Sequence, residues 1–160
     1  MTGGVSYSVT GGTLAHSLIS QRFISAFERR LDGGLWAVTG HSRGVETPLT
    51  VRYPDVVVEP MSDALQQLST EILAIIVEVL SPTTEQLDLG PKVSEYRGIA
   101  SLQAYIAASQ HQAKCHVWLR DAAGGMPEAP SGIAGGNSIT IRALGLSISL
   151  AEIYRDIAHR

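Results

Sequence analysis

Two short apolar runs, each interrupted by a single carboxylate, constrain this 160-residue chain more than any other feature. The first is Tyr53-Pro54-Asp55-Val56-Val57-Val58 and the second is Ile75-Ile76-Val77-Glu78-Val79-Leu80-Ser81-Pro82. Both have strand length and are rich in β-branched residues, which fit a pleated, buried surface. A carboxylate inside such a strand is costly unless it has a partner. If the runs pair as antiparallel neighbours, a register that sets Glu59 opposite Ala74 also sets Asp55 opposite Glu78. Carboxylates that close share a proton or hold a cation, and oxygen ligands with few protein contacts suit magnesium, which keeps several of its waters.

The remaining chain bounds what such a site can belong to. With 44% hydrophobic residues and no break in composition, residues 1–160 are expected to form one domain with a substantial core. A single cysteine, Cys115, excludes an internal disulfide framework. The apolar run at 72–80 is too short to span a bilayer, and no segment has the pattern of a cleaved leader. No membrane association and a cytoplasmic setting are expected. The net charge of -3 argues against a general nucleic-acid coat but leaves room for a local basic patch.

In chain order, residues 6–9 read as a short strand and residues 10–12 as a small-residue loop. The loop has no Gly-Lys-Ser/Thr ending and reads as a turn rather than a phosphate cradle. Thr13 can cap a helix whose apolar stripe is Ala15, Leu18, Ile19, Phe23, Ala26, Phe27 and Leu31, ending at Asp32-Gly33-Gly34. Residues 35–39 and 49–52 read as strands around a polar turn at His41 to Gly44. Residues 60–70 read as a loop. The unalternating run 72–80 predicts a central strand covered on both faces. Ser81-Pro82-Thr83-Thr84 stops it, and Pro91 opens a helix with Val93, Tyr96 and Ile99 or Ala100 inward.

Residues 104–108 and 114–120 predict a hairpin, with Cys115, Val117 and Leu119 alternating against Lys114, His116 and Trp118. Residues 122–136, rich in Gly, Pro and Ala, read as a mobile loop. Residues 138–142 read as a last strand, and Leu150, Ile153, Tyr154 and Ile157 fit a closing helix. This order predicts an α+β, mixed α/β domain around one largely antiparallel sheet flanked by helices.

On that scaffold few residues can carry chemistry. Lys92 lies in the first turn of its helix, where the dipole disfavours a cation unless Glu85, Asp88 or a site carboxylate compensates. A lysine beside two metal-binding carboxylates can hold an attacking water, or help deprotonate it, while the metal stabilises charge on a phosphoryl oxygen. Each residue also has a plainer reading. Asp55 could cap a turn, Glu78 could form a buried ion pair with Arg52 or Lys92, and Lys92 could be a solvated helix residue.

Several blocks together carry a family resemblance: the 53–58 run, Val77-Glu78-Val79-Leu80-Ser81-Pro82-Thr83-Thr84-Glu85, then Asp88, Lys92 and Tyr96, and the ending Leu144-Gly145-Leu146 with Ala151-Glu152-Ile153-Tyr154. From about Gly11 to Tyr154 the chain resembles the Uma-two family of restriction-endonuclease-like proteins, within the PD-(D/E)XK nuclease superfamily. The resemblance implies a restriction-endonuclease-like core and a magnesium- or manganese-dependent endonuclease hydrolysing DNA phosphodiester bonds. Asp55 and Glu78 would be metal ligands, with the backbone carbonyl near Val79 as a third. Lys92 would orient the water, and His16 would be a substrate contact. In the superfamily's simplest form the lysine lies two residues after the second acid, where this chain has Leu80, so Lys92 must reach back from its helix. Family members also carry an acidic residue before the glycine loop, and residues 1–12 contain no Asp or Glu. Weakened cleavage is the corresponding expectation. The alternative is a non-catalytic dimeric binding or scaffold domain that keeps the nuclease fold. A homodimer through strands or the closing helix is expected, because cutting a duplex needs two sites and two-fold dimers are the commonest oligomers, with Trp118 or Val117 facing outward and able to sit in the interface.

Overall fold

The computed structural model describes residues 12–157. The strand expected at residues 6–9 and most of the loop at 10–12 lie outside them. Helix α1, Leu14–Arg30, begins where Thr13 accepts a hydrogen bond from the His16 amide, and it buries Ile19, Phe23, Ala26 and Phe27. Strands β1 (Trp36–Thr39), β2 (Gly44–Glu46), β3 (Val51–Arg52), β4 (Val56–Pro60), β5 (Ser69–Thr70) and β6 (Ile75–Val79) follow. Two short helices, α2 (Glu85–Leu89) and α3 (Pro91–Arg97), precede β7 (Ala104–Ala108) and β8 (Lys114–Leu119). The chain continues through β9 (Ser131–Ala134), β10 (Ser138–Ile141), a 3₁₀ turn, β11 (Leu146–Ser149) and α4 (Leu150–Tyr154).

The main sheet has the order β1-β4-β6-β7-β8-β9, antiparallel throughout except for the parallel pair β6 and β7. The architecture is α+β, a mixed sheet flanked by helices, as expected. Strand β6 is interior and every one of its residues is buried. Val56, Val58, Ile75 and Val77 pack with α1, α4 and the β10-β11 hairpin on one face. Val57, Ile76, Tyr105 and Trp118 pack with Val93 and Tyr96 of α3 on the other. Burial on both faces explains why residues 73–80 lack alternation, while Ile72, before the strand, is exposed.

Three expectations are corrected. The polar turn at 41–44 is shorter than read, because Gly44–Glu46 forms β2, which pairs with both β3 and β5. Residues 122–136 are not one mobile loop: β9 extends the main sheet, Met126 is buried, and Trp118 Nε1 donates to the Glu128 carbonyl at 3.1 Å. Neither Val117 nor Trp118 faces outward. Each is at most 2% exposed, with the Trp118 ring stacked on Tyr105, since helices and hairpin cover both sides of β8.

Candidate active site

Antiparallel pairing of β4 and β6 sets Val56 opposite Val77, Val57 opposite Ile76 and Val58 opposite Ile75. One more step along this ladder brings Asp55 against Glu78. The Asp55 amide donates to Glu78 Oε1 at 3.3 Å, and Asp55 Oδ2 accepts from the Val79 amide at 2.7 Å. The second bond leaves Asp55 Oδ1 to face α1, where His16 Nε2 lies 3.1 Å away.

Glu78 points to the α3 side of the sheet and is 5% exposed. Its Oε2 accepts from Lys92 Nζ at 2.7 Å and from the Tyr96 hydroxyl at 3.1 Å. Lys92 Nζ also pairs with Asp88 Oδ1 at 2.8 Å. Asp88, Lys92 and Tyr96 are four residues apart along the chain, and the break between α2 and α3 keeps them on one side. Gly90 makes that break possible, because a Cβ there would lie 2.9 Å from the Gln86 carbonyl oxygen.

Within the site, then, ion pairs join Lys92 to Glu78 and Asp88, and Asp55 to His16. Arg52, the other partner considered for Glu78, pairs with Glu95 instead. The plainer reading of Glu78 as half of a buried ion pair with Lys92 is thus a feature of this structure. Asp88, rather than exposed Glu85, compensates Lys92. Asp88 and Tyr96 were not assigned to the site from the sequence, although their spacing around Lys92 was the available signal.

The electrostatics record a surplus of negative charge. Burial drives the Glu78 carboxyl up to about 7; Lys92 opposes the shift, and the charges of Asp55 and Asp88 add to it. Burial disfavours the Lys92 ammonium, but Glu78 and Asp88 outweigh it and raise its pKa. His16 is raised by its hydrogen bond to Asp55, against the effect of burial. Asp88 Oδ1 is buried and accepts no well-aligned hydrogen bond. Three carboxylates faced by one ammonium and one imidazole fit a hard divalent cation. No three His, Cys, Asp or Glu side chains among the described residues converge as a ready-made cage. A cation here would rest on one or two carboxylates plus water, the mode magnesium tolerates.

The model of the Uma2 family, described as "Putative restriction endonuclease", matches residues 2–151. The chain belongs to the Uma2 family. A relative from Synechocystis sp., the protein slr1290, is 29% identical over 160 residues, covering 97% of this chain and 82% of its own length. The fold is similar to that of a crystal structure from Anabaena variabilis, described as a "putative nuclease belonging to DUF820". That likeness has a TM-score of 0.69 at 11% identity and covers 89% of this chain and 82% of the other. Within this Uma2 chain, no helix among the described residues is long and apolar enough to cross a membrane.

Proposed function

We propose that this Uma2 protein is a magnesium- or manganese-dependent endonuclease of the PD-(D/E)XK type, a single domain that hydrolyses DNA phosphodiester bonds in the cytoplasm as a homodimer. The observation that carries the reading is the placement of the Lys92 ammonium 2.7 Å from Glu78, whose strand neighbour Val79 anchors Asp55. Asp55 and Glu78 would hold the cation, with the Val79 carbonyl completing the protein ligands, and the cation would supply charge stabilisation to the phosphoryl oxygens. Lys92, kept charged by Glu78 and Asp88, donates to the attacking water or to a phosphate oxygen and so orients the attack; a charged ammonium does not take the water's proton. His16 stands at Asp55 Oδ1, from where it would contact the phosphate if Asp55 held the cation. Tyr96 fixes the Glu78 carboxylate from below.

Calorimetric titration with manganese, paired with plasmid nicking, tests this. Wild type should bind about one or two ions per chain and nick DNA. Asp55→Asn and Glu78→Gln should lose both properties while remaining folded. Binding without nicking would leave the scaffold reading standing, and absence of binding would remove the metal mechanism.

A further inference from the structure

Gln110 is among the few buried polar residues and is only 7% exposed, yet it belongs to no strand or helix. It follows β7, and the parallel pairing of β6 with β7 puts the ends of both strands side by side, with the Leu80 amide donating to the Ala108 carbonyl at 2.8 Å. From there the Gln110 amide works in two directions. Its Nε2 donates to the Leu80 carbonyl at 2.7 Å, two residues beyond Glu78. Its Oε1 accepts from the Thr13 hydroxyl at 2.5 Å. The same hydroxyl accepts from the His16 amide at 3.0 Å, and the Thr13 carbonyl accepts from the Ser17 amide at 3.1 Å. One side chain therefore ties the first turn of α1 to the end of the strand that carries Glu78.

Apart from the His16–Asp55 pair itself, the other anchors of α1 lie further along the helix: Ile19, Phe23 and Phe27 are seated in the core, and Arg30 pairs with Glu152 of α4 at the far end. Without the Gln110 tether the first turn ahead of buried Ile19 would be held to the sheet only through the His16–Asp55 pair, so it would fray more readily, as weakly supported helix ends do.

We infer that Gln110 is a positioning residue: acting through Thr13, it latches the first turn of α1 to the end of β6 and so sets His16 against Asp55. The inference rests on the proposed reading only for its consequence in catalysis; the latch itself is a property of the metal-free protein. Gln110→Met keeps the length and burial of the side chain but removes both of its hydrogen bonds, while leaving Thr13 to cap the helix.

Nuclear magnetic resonance of the metal-free protein decides the matter. In wild type, the His16 ring should show Overhauser contacts to the Asp55 β-protons, and the His16 and Ser17 amides should be protected from exchange. In Gln110→Met the ring contacts should vanish and amide protection should fall roughly tenfold or more, with Phe23, Phe27 and the β6 amides unchanged. Thr13→Val should reproduce the loss and Thr13→Ser should restore wild-type behaviour. Retention of the His16 contacts in Gln110→Met, or uniform loosening of the whole domain, would overturn the inference. If the domain nicks DNA, Gln110→Met and His16→Ala should each lower kcat roughly ten- to a hundredfold with little change in KM, and the double variant should be no worse than either alone. Additive losses would also overturn it. A wild type that cuts no DNA would count against the nuclease reading and leave the resonance experiment decisive for the latch.

Discussion

At the scale of single residues, Glu78 determines how the metal-free protein responds to pH. Its folded pKa of about 7 stands above its ordinary 4.5, so the folded state holds a proton that the unfolded chain releases. Stability from this source is complete below about 4.5, is lost as pH rises to about 7, and is flat beyond. The span corresponds to at most about 3 kcal/mol. His16, also raised, adds a smaller loss of the same sign as pH passes its folded pKa. Urea unfolding in chelator should therefore show stability falling between pH 5 and pH 8, and Glu78→Gln should remove most of that slope. Manganese should recover stability at pH 8 in wild type but not in Glu78→Gln. A pH-independent wild type would contradict this account of Glu78. Lys92 is the opposite case, since its loss strands two buried carboxylates. Lys92→Ala should destabilise the metal-free domain by about 3 to 5 kcal/mol at pH 8, read from the same unfolding curves.

The elements show which parts of the fold were legible in the sequence. The β4-β6 register was readable because two carboxylates had to be accommodated in buried strands, and few registers do so. Helix α1 was readable from its spacing and from the Thr13 cap. Strand β2 was not, because three residues beside a polar turn carry no period, and β9 is hidden in a Gly- and Pro-rich composition that ordinarily marks loops. Strand β11 escaped although Leu146 and Ile148 alternate with serines, because four residues are a weak signal beside a helix start. In the site, Asp55, Glu78 and Lys92 stood out as charges in apolar or electrostatically unfavourable places. Asp88 reads only as a possible compensating charge and Tyr96 only as an inward helix residue, because the α2-α3 junction that sets Asp88 on Lys92 and Tyr96 on Glu78 has no signature in the sequence. That junction depends on Gly90. Gly90→Ala should force the two helices apart, costing about 1 to 3 kcal/mol. It should also weaken manganese binding, because Asp88 and Lys92 would move relative to Glu78. A thermal midpoint and a manganese affinity that both match wild type would show that the junction tolerates a side chain.

For the whole molecule, the proposed dimer has to use a face other than β8, because Trp118 and Val117 are consumed by the core. The segment between β4 and β6 offers one. Leu68, at 86% exposed, lines with Met61 and Ile72 a groove of about 670 Å³, and Leu65 lies in the same loop. Leu35 adjoins it, since its carbonyl accepts from the Met61 amide at 2.8 Å. Two of its polar pairs are matched: Arg43 binds Glu59 through two nitrogens, and Ser69 donates to Glu46. Beside exposed Glu71, the groove presents apolar side chains to solvent. Exposed apolar side chains gathered this way mark contact surfaces more often than isolated ones do, and a two-fold pairing would bury the same patch on both subunits. The groove carries more acidic than basic side chains, so a DNA backbone is a poor occupant for it. Sedimentation at micromolar concentration should give a dimer, and Leu68→Asp should give a folded monomer, because the mutated side chain is already solvent-facing in the single chain and costs little stability there. A wild-type monomer, or a Leu68→Asp dimer of undiminished affinity, would remove this face from consideration.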